Sequence, residues 1–252
     1  MAQKKQRRES KSTVIYVPIA VLLVLFLMVL GTSVFLGIIE IEVIGASKYS
    51  SESIIEASGL AIGDNMLFLD TETAEQSICS AMPYIKDASI ELSLPDKVRI
   101  YVSEAKAIAA IDFRDGVIII DSAGRVLERV EEVPYSLIEV RGFTPTDTVI
   151  GSALRASPGD DTRLRYLTET LSAIEREDIQ SDVSYVDVTS IVYVSFQYQS
   201  RFTVVLGTTD NIRYKLSRLA DTVEDIIRIA PGNETGRIDM SDREPWRWVP
   251  DR

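Results

Sequence analysis

The chain has 252 residues, 27 of them basic and 38 acidic, with no histidine and one cysteine. Without histidine it cannot build a Ser-His-Asp or Cys-His centre, a histidine-ligated zinc site or imidazole acid/base chemistry. The lone Cys79 excludes an intrachain disulfide, and Walker and dinucleotide glycine motifs are absent.

Residues 1–13 carry a net charge of +4, from Lys4, Lys5, Arg7, Arg8 and Lys11 against Glu9. Residues 14–39 follow, 26 in a row without a charge, 18 of them Val, Ile, Leu or Phe. As a helix this run would be about 39 Å long against roughly 30 Å of hydrocarbon, so it is expected to span a bilayer. A cleaved signal peptide would have a much shorter apolar core and a clearer small-residue cleavage site. The basic flank predicts a cytoplasmic N-terminus and an external body. That body carries −15 overall, which argues against nucleic acid as a partner, since phosphate binding requires clustered Lys and Arg.

Beyond the span, residues 40–44 alternate apolar and acidic side chains, as a half-buried strand does. Ser50 or Ser51 opens a short helix, with Glu52 in its first turn and Gly59 at its end. After a Gly63-Asp64-Asn65 turn, Asp70 caps a second helix, with Ala74, Ile78 and Ala81 on one face. Residues 88–94 and 98–102 read as a hairpin around Pro95-Asp96. The order β-α-α-β-β predicts a small α+β domain with two helices on one face of a three-stranded sheet.

From residue 107 strands dominate: 107–112, 117–121 and 125–128 as a meander, then 137–140 ending at Gly142. Residues 143–160 are mostly loop. A helix opens at Asp160 or Asp161, with Leu164, Leu167, Leu171 and Ile174 inward. Strands are expected at 183–188, 191–198 and 201–207, the last two as a hairpin. One helix is expected over 211–229, with Leu216, Leu219, Val223, Ile226 and Ile227 inward, and final strands at 237–240 and 246–249. Trp246 and Trp248 fall on one face of the last strand. An edge strand there would leave backbone groups open to a partner strand, beside two aromatic side chains.

Four stretches, in this order and spacing, resemble the FtsQ/DivIB family of bacterial cell-division proteins. They are the basic tail and anchor running into IEIEVIGAS; SLPDKVRIYVSEAKAIAAI at 93–111; IIIDSAGRVLE at 118–128; and RFTVVLGTTDNIRYKLSRL at 201–219 with GRIDMSDREPWRWVPD at 236–251. Two departures stand out: Ser103-Glu104-Ala105-Lys106-Ala107-Ile108-Ala109 lacks the family's Arg and Pro after the hairpin. Leu137-Ile138-Glu139-Val140-Arg141-Gly142 lacks the usual Leu-Pro. The resemblance implies a cytoplasmic tail (1–13), a transmembrane helix (14–39) and a POTRA domain (40–106). It further implies a mixed, mostly antiparallel β domain with two helices (107–232) and a partner-binding C-terminal strand segment (233–252). It implies a non-enzymatic, cofactor-free scaffold at the division septum, bound to the membrane-anchored coiled-coil proteins FtsL and FtsB (DivIC). The matching contact positions are Ile238, Met240, Ser241, Asp242, Trp246 and Trp248.

The rival reading is a membrane-anchored Ser-Lys peptidase. Ser103-x-x-Lys106 ends a strand, whereas that acylation motif needs a helix start. A Ser-Lys dyad needs a lysine desolvated by burial. Lys48, Lys86, Lys97, Lys106 and Lys215 are the external lysines, and all read as solvated. Asp70, Asp121, Asp210 and Asp239 fall at caps, turns and strand ends. Cys79 reads as a small buried apolar group. An outer-membrane assembly protein would end in a barrel of amphipathic strands, for which the chain after Gly142 has too few.

Overall fold

A computed structural model describes residues 16, 18–26, 36–114, 116–231, 235–242 and 245–251. Tyr16 and residues 18–26 are helical and exposed. No helix among the described residues is long and apolar enough to cross a membrane. Residues 14, 15, 17 and 27–35 of the expected span lie outside the described residues, as does the 1–13 tail. The chain divides into two compact units: Met1–Ile78 with Asp87–Ser103, and Cys79–Lys86 with Glu104–Arg252.

The first unit is built on β1 (Glu40–Ile44), α1 (Ser51–Ser58), α2 (Thr71–Ala81), β2 (Ile85–Ser93) and β3 (Lys97–Glu104). The Ser50 hydroxyl accepts the Ser53 amide at 3.2 Å, and Gly59 ends α1 in the left-handed region, φ 71°. The Asp70 carboxylate accepts the Thr73 amide and hydroxyl at 3.1 and 2.7 Å, and these bonds hold its pKa below the ordinary value. The sheet order is β1-β3-β2, with β1 parallel to β3. That pairing cannot be made by a tight turn, so the two helices form the crossover. Ile54, Ala74 and Ile78 of the helices are buried, as are Ala88, Ile90, Val98, Ile100 and Val102 of the sheet. On the wet face Glu40 pairs with Lys97 at 2.6 Å and Glu42 with Arg99 at 3.2 Å.

The second unit adds β4 (Ala109–Phe113), β5 (Gly116–Ile120), β6 (Val126–Val130), β7 (Ile138–Arg141), α3 (Asp161–Arg176), β8 (Val183–Asp187), β9 (Val194–Tyr198), β10 (Phe202–Gly207), α4 (Ile212–Ser217), α5 (Leu219–Ile229), β11 (Gly236–Asp239) and β12 (Arg247–Pro250). One nine-stranded sheet runs β12-β11-β10-β9-β8-β7-β4-β5-β6. Pairings β4–β7, β7–β8 and β10–β11 are parallel, and the remainder are antiparallel. The main core joins inward side chains of the sheet to Leu167, Leu171 and Ile174 of α3 and to Leu216, Leu219, Val223 and Ile226 of α4 and α5. A smaller cluster on Ala110, Val117 and Ile119 covers part of the sheet elsewhere.

Three expectations change. The single helix over 211–229 is two, because Arg218, at φ −99° and ψ −3°, ends α4 and starts α5. Among the described residues the β domain therefore holds three α-helices rather than two. Residues 191–193 are not strand: Ile191, Val192 and Tyr193 are exposed in a loop before β9. Cys79 is half-buried rather than buried.

Candidate partner-binding edge

The β10–α4–α5–β11 segment is a crossover that brings β11 parallel to β10, and β12 then turns back to close the sheet. Gly236 pairs with Pro250, Arg237 with Val249, Ile238 with Trp248 and Asp239 with Arg247. The phase of the ladder is set from both sides. Gly236 and Met240 donate their amides to Arg201 and Val205 carbonyls at 3.2 and 2.7 Å, and Asp251 donates to Thr235 at 3.4 Å. In an antiparallel ladder hydrogen-bonded pairs alternate, so Arg247 and Val249 bond to β11. The N–H and C=O of Trp248 then face away from the sheet. Pro250 presents a carbonyl there and no donor.

The six expected contact residues do not share one role. Ile238 and Met240 have no exposed surface and belong to the core. Their side chains cannot touch a partner of the folded unit, and they contribute by fixing β11. Ser241 and Asp242 are exposed. Trp246 and Trp248 are half-buried against the core. The Trp248 indole N–H is shut off from solvent with no acceptor among the described residues, an unmet donor of the sort that costs stability until something accepts it.

Two open grooves flank Trp246. One, of about 680 Å³, runs between α5 and β12 and is lined by Arg218, Ile226, Ile229, Pro245, Trp246 and Trp248 among others. The other, of about 470 Å³, is lined by Asp210, Tyr214, Lys215, Ser241, Asp242 and Trp246 among others. Tyr214 and Trp246 meet edge to face, centroids 6.2 Å apart.

Lys215 differs from the expectation that every external lysine is solvated. It is only 7% exposed. Its ammonium donates to the Leu206 carbonyl at 2.5 Å and to the Thr208 carbonyl at 3.4 Å. Burial pushes its pKa down, and Asp210, Asp239 and Asp242 oppose the shift. Burial works to raise the Asp239 carboxyl, but the Ser241 hydroxyl and amide and Arg237 outweigh it, so the group titrates below the usual range. Ser241 Oγ donates to Asp239 at 2.6 Å. A buried lysine beside a serine is what the Ser-Lys reading required. Here, however, the lysine's protons are bound to backbone carbonyls and the serine's proton to a carboxylate. Both are committed to holding the turn between β10 and α4 and the end of β11. Lys48, Lys86, Lys97 and Lys106 are exposed.

Comparison with known proteins gives the same direction throughout. Residues 36–105 match the family model described as "POTRA domain, FtsQ-type". The cell division protein DivIB of Clostridium acetobutylicum strain ATCC 824 is 30% identical over 202 residues, 80% of this chain and 78% of that protein. DivIB of Clostridium botulinum strain Hall is 27% identical, covering 85% and 82%. The cell division protein FtsQ of Corynebacterium glutamicum is 27% identical, covering 67% and 76%. With an FtsQ-type POTRA domain followed by a mixed sheet, and this identity across four-fifths of a curated relative, the chain belongs to the DivIB/FtsQ family of bacterial cell-division proteins.

Proposed function

We propose that the protein is a membrane-anchored scaffold of the division machinery that acts by binding. Residues 1–13 are its cytoplasmic tail, 14–39 its span, 40–106 its POTRA domain, 107–232 its β domain and 233–252 its partner-binding segment. It links the cytoplasmic ring to septal wall synthesis outside the plasma membrane and holds FtsL and FtsB/DivIC there. The observation that carries this reading is the open edge of β12. A partner strand laid along it would bond to the amide and carbonyl of Trp248 and cover the indole face, with Trp246, Ser241 and Asp242 flanking the contact. Ile238 and Met240 support that strand from beneath.

The test is a variant lacking residues 247–252. It removes β12 while keeping the two buried residues of β11. Co-purification of FtsL and FtsB from membranes should be lost, while the circular dichroism of the body and its membrane fraction persist. Unchanged co-purification would overturn strand addition at this edge. Depletion of the native chain should give filamentous cells that the full-length copy rescues and the truncated copy does not.

A further inference from the structure

The first unit leaves an apolar end uncovered, and that end is where the chain enters it. The Met66 amide donates to the Leu36 carbonyl at 2.8 Å, the Gly63 amide to Ile38 at 2.8 Å, and Ile38 to Asp64 at 2.9 Å. Ile39 donates to Asp96, in the β2–β3 turn, at 2.8 Å. The segment between α1 and α2 and the β2–β3 turn are thus tied to residues 36–39, the last of the charge-free run. Phe68 lies two residues from Met66, which keeps it within about 10 Å of Leu36.

These segments should face water in a free-standing domain, yet they expose large apolar side chains. Phe68 is 80% exposed, Ile39 70%, Leu94 67%, Ile62 64% and Leu67 58%. Single exposed apolar residues need no explanation, but five at one end form a patch of the kind that marks an interaction surface. The chain itself indicates what covers it, because the 22 residues before Leu36 in the apolar run belong to a bilayer if the anchor reading holds.

We infer that this end of the POTRA unit rests in the interfacial layer of the bilayer, with Phe68, Leu94 and Ile62 inserted at the boundary between headgroups and acyl chains. The ligand is a lipid surface, and its chemistry can be specified. Asp64, Asp70 and Asp96 surround the patch, and the nearby Lys97 is neutralised by Glu40. Apolar burial, not charge, drives the contact, so zwitterionic lipid suits it and anionic lipid opposes it.

This rests on the anchor reading, and the test separates the two. The full-length chain carrying Cys79→Ser and one new cysteine, Phe68→Cys or Leu94→Cys, is labelled with an environment-sensitive fluorophore. It is then reconstituted in phosphatidylcholine vesicles. A control label goes on Asp87, exposed at the other end of the β2–β3 pair, about 20 Å away. Flotation after alkaline carbonate wash reports the anchor. With the chain floating, labels at 68 and 94 should show a blue shift, loss of iodide quenching and quenching by shallow spin-labelled lipid. The label at 87 should not. Adding phosphatidylglycerol should reduce the blue shift. A floating chain whose labels at 68 and 94 are quenched by iodide as strongly as that at 87 overturns the lipid contact and leaves the anchor standing. A chain that does not float overturns both.

Discussion

Lys215 gains and loses by being buried. Its charge is stripped of water, but two backbone carbonyls accept its protons and three aspartates surround it. A lowered native pKa means that the unfolded chain holds this proton more tightly. Stability owed to Lys215 therefore rises as pH climbs from the native pKa towards the ordinary 10.5. The difference in urea midpoint between wild type and Lys215→Met should move in favour of the wild type over that range, and a difference flat with pH would contradict the burial. Asp239, whose pKa is also lowered, follows the same sign in the acid range: its contribution is present at neutral pH and fades as pH falls below 3.8 through its native pKa. Little of this was legible in the sequence. Lys215 stands in Arg213-Tyr214-Lys215-Leu216-Ser217-Arg218, which reads as the wet side of a helix. The break at Arg218 ends that helix early, and the bulk of Lys215 faces the turn after Gly207 instead.

At the scale of elements, the edge depends on one backbone position. Gly236 sits at φ +140°, and a Cβ there would lie 2.2 Å from the Val249 carbonyl oxygen and 2.8 Å from Pro250 Cα. No L side chain fits without moving β12. Gly236→Ala should destabilise the second unit by about 2 kcal/mol or more, and amide exchange at 247–249 should accelerate well beyond that of β10. Unchanged exchange would show that β12 holds its place by other means. The sequence does mark this region. Alternation placed strands within one residue of β11 and β12, and caps and glycines marked α1 and α2 closely. What alternation cannot supply is neighbourhood. The parallel pairings β4–β7, β7–β8 and β10–β11 join strands separated by other elements, and period two specifies the face of a strand but not which strand lies beside it. The same gap explains Ile238 and Met240: their apolar character was plain, but their burial follows from β11 having a strand on each side.

At the scale of the whole molecule, the long sheet ends in two strands, β12 and β6, and the outer side of β6 is partly covered, since the Val126 amide donates to the Ser152 carbonyl at 2.9 Å and its carbonyl accepts the Gly151 amide at 2.7 Å. They protect themselves differently. Beside β6 the ladder shifts register between Ile119 and Ile120, and the strand carries Glu128 and Arg129. β12 is four residues long, with Arg247 at one end and Pro250 at the other. Both devices are ways of refusing casual pairing. If Pro250 limits the open side to Trp248, then Pro250→Val should leave the thermal midpoint close to wild type but raise self-association, read as a concentration-dependent sedimentation coefficient. A coefficient that stays constant would remove that role from the proline.

A sheet whose two ends could join copy to copy has the topology of a fibre, since a head-to-tail contact whose rotation does not close into a ring grows without end. Pro250 changes what the last strand can nucleate. It allows one short ribbon to lie down around Trp248 and denies the continuous run of donors that a growing stack would need. The residue that makes this edge a poor template for its own copies thereby makes it a terminus, where one short strand could lie down without beginning a polymer.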